Sequence, residues 1–269
     1  NTFLLEPVSA ENLVNNRNSR NFWCNVKGIG SWSLTGHSAE ELSKKFTEMQ
    51  DDSEVTAGFM WQKTTRESKK YQLRGEILSF IPVDKNVEIM LVTITNTGRM
   101  AQTVTPTAAI PLYGRSADNI RDHRHVTSLL HRIETTDTGV LVTPTLSFDE
   151  RGHQVNHMTY YCVGWSGNGE KPVDFYPTAE DFVGEGGNFE RPYAIVKNAE
   201  GVKAGTKIEG LEAVGGLHFS EITLEPEEEC SYLIFTGITE DIKQIRNLSK
   251  TYTTREKVLE ELEKTKAYW

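Results

Sequence analysis

The chain lacks several features that would place it in a class at once. No run approaches the roughly 18 consecutive apolar residues that a membrane-spanning helix needs. No charged-then-apolar segment opens the sequence as a secretory signal would. Cysteine is scarce. Cys24, Cys162 and Cys230 are odd in number and far apart, which gives neither a disulfide framework nor the close spacing of a metal site. Cys162 and Cys230 lie in apolar runs and read as small buried hydrophobes, which points to a reducing cytoplasm. Positive charge is also short: 29 Lys and Arg stand against 38 Asp and Glu, a net charge of −9. That balance argues against nucleic acid and acidic membrane surfaces as partners, because both favour basic patches. A neutral ligand fits it better. There is no repeat of about 20–50 residues and no low-complexity tract. The first residue is Asn1 rather than methionine, as in a processed or excised piece.

What the chain does have is strand pattern. Runs rich in β-branched and aromatic residues fall at 22–27, 55–64, 71–80, 87–95, 102–111 and 139–148, with further strands predicted at 158–165, 193–196, 217–224 and 231–237. The run 87–95 is apolar on both parities, Val87, Ile89 and Leu91 on one and Met90, Val92 and Ile94 on the other. A strand with two apolar faces belongs inside a layered structure. Many short strands with few helices among them predict an all-β fold, a large antiparallel sandwich. Two helical regions interrupt the pattern. Ser38-Ala39-Glu40-Glu41 has the form of a capping box, predicting a helix to about residue 48 with Leu42, Phe46 and Met49 on one face. At the other end Ile238, Ile242, Ile245 and Leu248 step along a helical face. A second capping box at Thr253-Thr254-Arg255-Glu256 predicts a helix with Val258, Leu259 and Leu262 on its apolar side, ending at Tyr268-Trp269. An apolar helix face ending in an aromatic pair predicts a packing partner beyond these residues. The expected division is a sandwich over 1–237 and a helical linker over 238–269.

The densest chemistry lies between Tyr113 and Arg132. Arg115, Arg121, Arg124 and Arg132, with His123, His125, His131, Asp118 and Asp122, fall in that one window between strand-like segments. Function tends to sit on loops held by a rigid scaffold, although charge runs are often solvated faces whose members pair with one another. His123 and His125 share a side if the segment is extended, and with Asp118 or Asp122 they have the make-up of an acid–base pair for sugar-ring opening. Three weaker signals stand beside it. Gly184-Glu185-Gly186-Gly187 lacks the lysine and hydroxyl of a phosphate loop and reads as a tight turn. His153 and His157 have helical spacing without a helical context, so no metal is expected, nor any other cofactor. Tyr113, Trp165, Phe175, Tyr176 and Phe182 flank polar loops and are the residue types that stack on sugar rings. Trp23, Trp32 and Trp61 sit in strand contexts and read as core.

Wording beyond composition narrows the reading. Tyr113-Gly114-Arg115-Ser116-Ala117-Asp118-Asn119, followed by Arg121-Asp122-His123-Arg124-His125, resembles the N-terminal region of the inverting β-glycoside phosphorylases. These include the cellobiose, cellodextrin, chitobiose and 1,2-β-oligoglucan phosphorylases, a family formerly grouped with the glycosyltransferases. Asp181-Phe182-Val183-Gly184-Glu185-Gly186-Gly187 and the following Asn188 to Pro192 are similar to a second segment of that family, and Phe235-Thr236-Gly237 to its exit into a linker. The opening Glu6-Pro7-Val8-Ser9-Ala10-Glu11-Asn12 is most similar to the long-chain 1,2-β-oligoglucan type. The resemblance implies a supersandwich of the galactose-mutarotase-like kind, a linker helix and an (α/α)6 barrel. In that family the barrel carries the general acid and the phosphate site, and the sandwich shapes a homodimer and reaches a loop toward the partner's active site. No catalytic residue transfers to this chain. The substrate-binding candidates are Tyr113, Arg115, Asp118, Asn119, Arg121, Asp122, His123, Arg124 and His125. Of these, Arg115, Asp118 and Asn119 would meet sugar hydroxyls, while Arg121, Asp122 and Arg124 would brace the loop. The rival readings are a free-standing module that binds β-linked glucan and an aldose epimerase using histidine and a carboxylate.

Overall fold

Segments with apolar residues on both parities form the centre of the larger of two facing antiparallel sheets. The computed structural model describes residues 2–3, 20–116, 128–149 and 152–269. Among them the larger sheet has nine strands, in the order β16 (Lys207–Glu209), β10 (Arg132–Thr135), β11 (Gly139–Val142), β14 (Thr159–Ser166), β19 (Glu229–Thr239), β7 (Val87–Asn96), β6 (Leu73–Phe80), β5 (Trp61–Ser68) and β4 (Asp52–Gly58). The smaller runs β15 (Asp174–Thr178), β17 (Ala213–His218), β8 (Gln102–Leu112), β2 (Asn21–Val26) and β3 (Gly30–Ser33), with β18 (Ile222–Leu224) also on β8. Two short ribbons, β1 (Thr2–Phe3) with β9 (Arg115–Ser116) and β12 (Leu146–Asp149) with β13 (Gly152–Val155), stand apart from both. This is the all-β sandwich that the strand pattern predicts.

Parity sorts the side chains into three layers. Met90, Val92 and Ile94 of β7, Tyr160 and Cys162 of β14, and Tyr232 and Ile234 of β19 meet Phe22, Cys24, Val26, Ile110 and Leu217 of the smaller sheet in the central core. The alternate residues Ile89, Leu91, Tyr161, Val163, Trp165, Leu233 and Phe235 face outward, beneath the C-terminal helices. Those helices are α4 (Ile242–Thr251) and α5 (Arg255–Tyr268), which contribute Ile245, Tyr252, Val258 and Leu262. On the outer face of the smaller sheet Trp23, Ala109 and Tyr176 are covered by α2 (Ala179–Val183) and α3 (Tyr193–Lys197) through Phe182, Ala194 and Ile195. Pro106 sits inside β8 at a position that needs no donor. Its carbonyl accepts from Phe219 N–H at 3.0 Å, so its missing N–H faces the break between β17 and β18.

Several local expectations are corrected. The run 55–64 is not one strand but a hairpin, turned at Phe59-Met60 with Met60 at φ 62°. The runs 139–148 and 217–224 each break into two strands. Residues 193–196 form α3 rather than a strand, because Ala194 and Ile195 point together onto the smaller sheet while Tyr193 is exposed. The helix α1 (Ala39–Ser43) does start at the Ser38 cap, whose Oγ accepts from Glu41 N–H at 3.1 Å. It stops short of the predicted end, and Leu42, Phe46 and Met49 are all exposed. Charge, not an apolar stripe, seats it: buried Glu41 lies near Lys44 and Arg66. At the C-terminal pair the N-cap of α5 is Thr254, whose side chain makes no cap bond, so the second capping box does not form.

The α1 network yields a pH dependence. Glu40 accepts from Lys44 at 2.7 Å, Lys70 at 2.8 Å and the Tyr71 hydroxyl at 2.8 Å. Burial works to raise its carboxyl pKa, but these hydrogen bonds outweigh it and hold the value at about 2. A depressed folded pKa contributes stability that is fully present above the unfolded value and lost as pH falls through the folded one. Between the unfolded value of about 4.3 and about 2, urea titrations of Glu40→Gln should therefore show a shallower fall in stability than those of the unaltered chain.

Candidate functional site

The segment from Tyr113 to Arg132 is the crossover from the smaller sheet to the larger. β8 ends at Leu112 and β10 begins at Arg132. Its two stalks meet. Gly114 takes φ 58°, and a Cβ there would stand 3.2 Å from His131 Nε2, so a small residue is needed at this contact. His131 is buried, with Nδ1 3.1 Å from the Leu211 carbonyl, and the His131 carbonyl accepts from Gly210 N–H at 3.0 Å. Arg132 donates to the carbonyls of Leu129 and His131 and faces Glu209 across the strand pair at 3.4 Å. Tyr113 is buried at the end of β8. Arg115 lies on β9, paired with Phe3 of β1. Asp118, Asn119, Arg121, Asp122, His123, Arg124 and His125 lie outside the described residues. The structure thus brings together the base of the segment, and two of its charged or titratable residues, His131 and Arg132, serve to anchor that base.

The aromatic candidates are placed differently from the sequence expectation. Trp165, Phe175, Tyr176 and Phe182 are all buried in the three cores, so they are packing residues and offer no sugar platform. The Asp181–Pro192 segment is likewise structural. Thr178 caps α2 by accepting from Asp181 N–H at 3.1 Å, Gly184 turns the chain at φ 74°, and Phe182 packs between Tyr176 and Phe189 with its ring tilted to both. His153 lies on strand β13, so the four-residue spacing to His157 does not put them on a helix face.

Sequence reasoning missed one acid–base pair. Asp174 and His218 are opposite each other on β15 and β17, with Oδ1 to Nδ1 at 2.7 Å and both side chains buried. They are 44 residues apart in sequence, and only the strand register reveals them. The Tyr176 ring lies against the imidazole at 5.6 Å, and His218 Nε2 is buried without a hydrogen-bond partner. A general base must reach the proton it takes. This nitrogen is closed off, so the pair acts as a cross-strand clamp, and the epimerase reading finds no open site here. A polar opening beside the ends of β14 and β19 has a volume of about 460 Å³. It carries Glu170, Glu221, Glu228, Glu229 and Glu256 against Lys171 and Arg255, a balance that repels phosphate. Among the described residues no group of three or more His, Cys, Asp or Glu is placed to hold a metal ion, and no helix is long and apolar enough to cross a membrane.

Two facing antiparallel sheets, each padded on its outer face by helices, define a supersandwich. Residues 11–255 match the family model described as Glycosyl hydrolase 94, supersandwich domain. The chain belongs to that family and is a domain of carbohydrate-active enzymes. No curated protein matches it. Among solved structures it is similar to a bacterial glucoamylase complexed with acarbose, at 10% identity and TM-score 0.49, covering 90% of this chain and 30% of that one. It is also similar to a polysaccharide lyase at 10% identity and TM-score 0.42, covering 91% and 29%. The chain therefore spans less than a third of the length of these proteins.

Proposed function

We propose that the chain is the sandwich domain of an inverting β-glycoside phosphorylase of the 1,2-β-oligoglucan type, and that it does not perform the chemistry itself. Phosphate would attack the anomeric carbon in an (α/α)6 barrel, where one acid protonates the leaving oxygen. The observation that carries the reading is the family match over residues 11–255, joined to the resemblance at Tyr113–His125. The closed Asp174–His218 pair and the acidic opening support placing the general acid and the phosphate site elsewhere. The proposed boundary, a sandwich over 1–237 and a linker over 238–269, is supported by the end of β19 at Thr239 and the two helices after it.

Barrel packing is supported by an exposed apolar surface around the β4–β5 turn. Phe59 packs against Trp269 with ring centroids 5.0 Å apart, and Met60, Ile81 and Tyr268 are also exposed. A homodimer in the parent enzyme is supported by β4, an edge strand exposed along its whole length and so open to a partner. A cytoplasmic location is supported by free thiols at Cys24 and Cys162, which burial pushes well above their ordinary pKa and leaves unreactive.

The test is incubation of this chain with β-1,2-linked gluco-oligosaccharides and phosphate, with glucose 1-phosphate as the readout. No release is expected, and release would place the catalytic groups in these residues. In the barrel-containing parent, Arg115→Ala and Asp118→Ala should each reduce phosphorolysis or dimerisation. Variants that leave both unchanged would remove the segment's role at the partner's site.

A further inference from the structure

The two sheets differ in width, nine strands against six, and the mismatch is concentrated at one edge. Trp32 and Leu34, at the β3 edge of the smaller sheet, press on Gly75 of β6, where a Cβ would stand 2.6 Å from Leu34 Cγ. Further along β6 and β5 the inner face has no such cover, and its residues change character. Ile77 pairs with Val92 and Thr64, and Ser79 pairs with Met90 and Gln62. Cross-strand partners share a face, so Thr64, Gln62 and Ser79 continue the plane of the central core with polar groups. Together with Arg20, Asn21 and Thr35 on the opposite side they line a cavity of about 250 Å³ floored by Ile77 and Met90.

The polar groups in this cavity divide into two sets. Asn21 is fully engaged: Oδ1 accepts from Ser33 and Thr35 hydroxyls at 2.8 and 2.9 Å, and Nδ2 donates to the His37 carbonyl at 3.1 Å. Arg20 is paired with Glu88. By contrast the Gln62 amide and the Thr64 and Ser79 hydroxyls make no hydrogen bond to any described residue. Ser79 is only 6% exposed. Thr64 is half-buried and Gln62 exposed, so the three groups stand open to an occupant entering the cavity from solvent.

We propose that this overhang binds one neutral sugar ring. Each unengaged group both donates and accepts, which matches vicinal hydroxyls, and Ile77 and Met90 offer an apolar patch to the C–H face of a ring. Because the lone guanidinium is already neutralised by Glu88, neither an anion nor a cation gains net charge complementarity there. The cavity falls just below the about 300–1,000 Å³ of a drug-sized site, which suits a single ring. That the ring is a glucose unit of a glucan rests on the phosphorylase reading. That it is neutral and polyhydroxylated rests on the cavity alone.

Titration of the ¹⁵N-labelled chain with D-glucose, followed by NMR, tests the site directly. Saturable shifts are expected at the Gln62 side-chain amide and at the backbone of Thr64 and Ser79. Gln62→Ala should weaken binding by about fivefold, the loss of roughly one neutral hydrogen bond, and Ser79→Val should block it. Gln62 is exposed on β5, so its variant remains informative if Ser79→Val does not fold. Glucose 6-phosphate should bind more weakly than glucose. Shifts of equal size with glycerol, shifts confined to Tyr113 and residues 128–132, or unchanged affinity in Gln62→Ala would each overturn the proposal. Binding without any phosphorolysis in the parent enzyme would leave this site standing and remove only the reading that the ring is a phosphorylase's glucan.

Discussion

Phe235→Ala should lower the free energy of unfolding by about 3–5 kcal/mol. Phe235 is fully buried on the outer face of the larger sheet, stacked between Trp165 at 4.7 Å and Tyr252 at 5.5 Å. Tyr252 caps the end of α4, and its carbonyl accepts from Trp165 Nε1 at 3.0 Å. Its hydroxyl meets Lys85, which also holds Glu261 of α5 at 2.7 Å. One ring therefore joins the sheet to both helices. Its removal leaves a cavity and two aromatic contacts unmade, each worth about 0.5–1.5 kcal/mol beyond burial. Amide exchange in α4 and α5 should rise with the loss, whereas Ile242→Ala, exposed at the start of α4, should stay within about 0.5 kcal/mol. A loss below about 1 kcal/mol for Phe235→Ala would mean that the helices are not fastened by this stack.

Trp32→Ala should cost at least as much, for a different reason and in a different layer. Trp32 is buried in the central core against Tyr71, with ring centroids 6.4 Å apart, and presses on Gly75. Its Nε1 donates to the carboxylate of Asp51, itself buried, at 2.8 Å. Truncation removes the ring, about 3–5 kcal/mol, and leaves a buried acceptor without its donor, about 1–3 kcal/mol more. Trp32→Phe separates the two parts: it keeps most of the packing and should show mainly the second cost. Urea titrations of the three variants give both values, and near-equal stability of Trp32→Phe and the unaltered chain would show that the Asp51 bond contributes little.

The layering was legible in the sequence because it rests on alternation. The two apolar parities of 87–95 reappear as the two faces of β7, one toward the central core and one toward the helices. Local chemistry was less legible where turns were hidden in apolar surroundings. Phe59-Met60 carries no glycine or proline, so the hairpin between β4 and β5 read as one strand, and the left-handed backbone at Met60 is a conformation that residue type rarely takes. The α3 segment, Tyr-Ala-Ile-Val-Lys, has strand propensity, and its helical form follows from covering Trp23 and Tyr176, a tertiary demand. In the site, the charged window was legible from its density, but the burial of Tyr113 and the anchoring by His131 and Arg132 were not. Nor were the Asp174–His218 pair and the Gln62–Ser79 overhang, since both depend on register between strands far apart in sequence.

We propose that this sandwich serves a phosphorolytic enzyme whose chemistry is performed outside it. NMR of the products tests this proposal most directly, when the barrel-containing parent acts on a β-1,2-linked gluco-oligosaccharide in phosphate buffer. α-Glucose 1-phosphate should form at the rate the oligosaccharide shortens, the anomer that direct attack on a β-linkage gives by inversion. Release of free glucose with no phosphate consumed would contradict it.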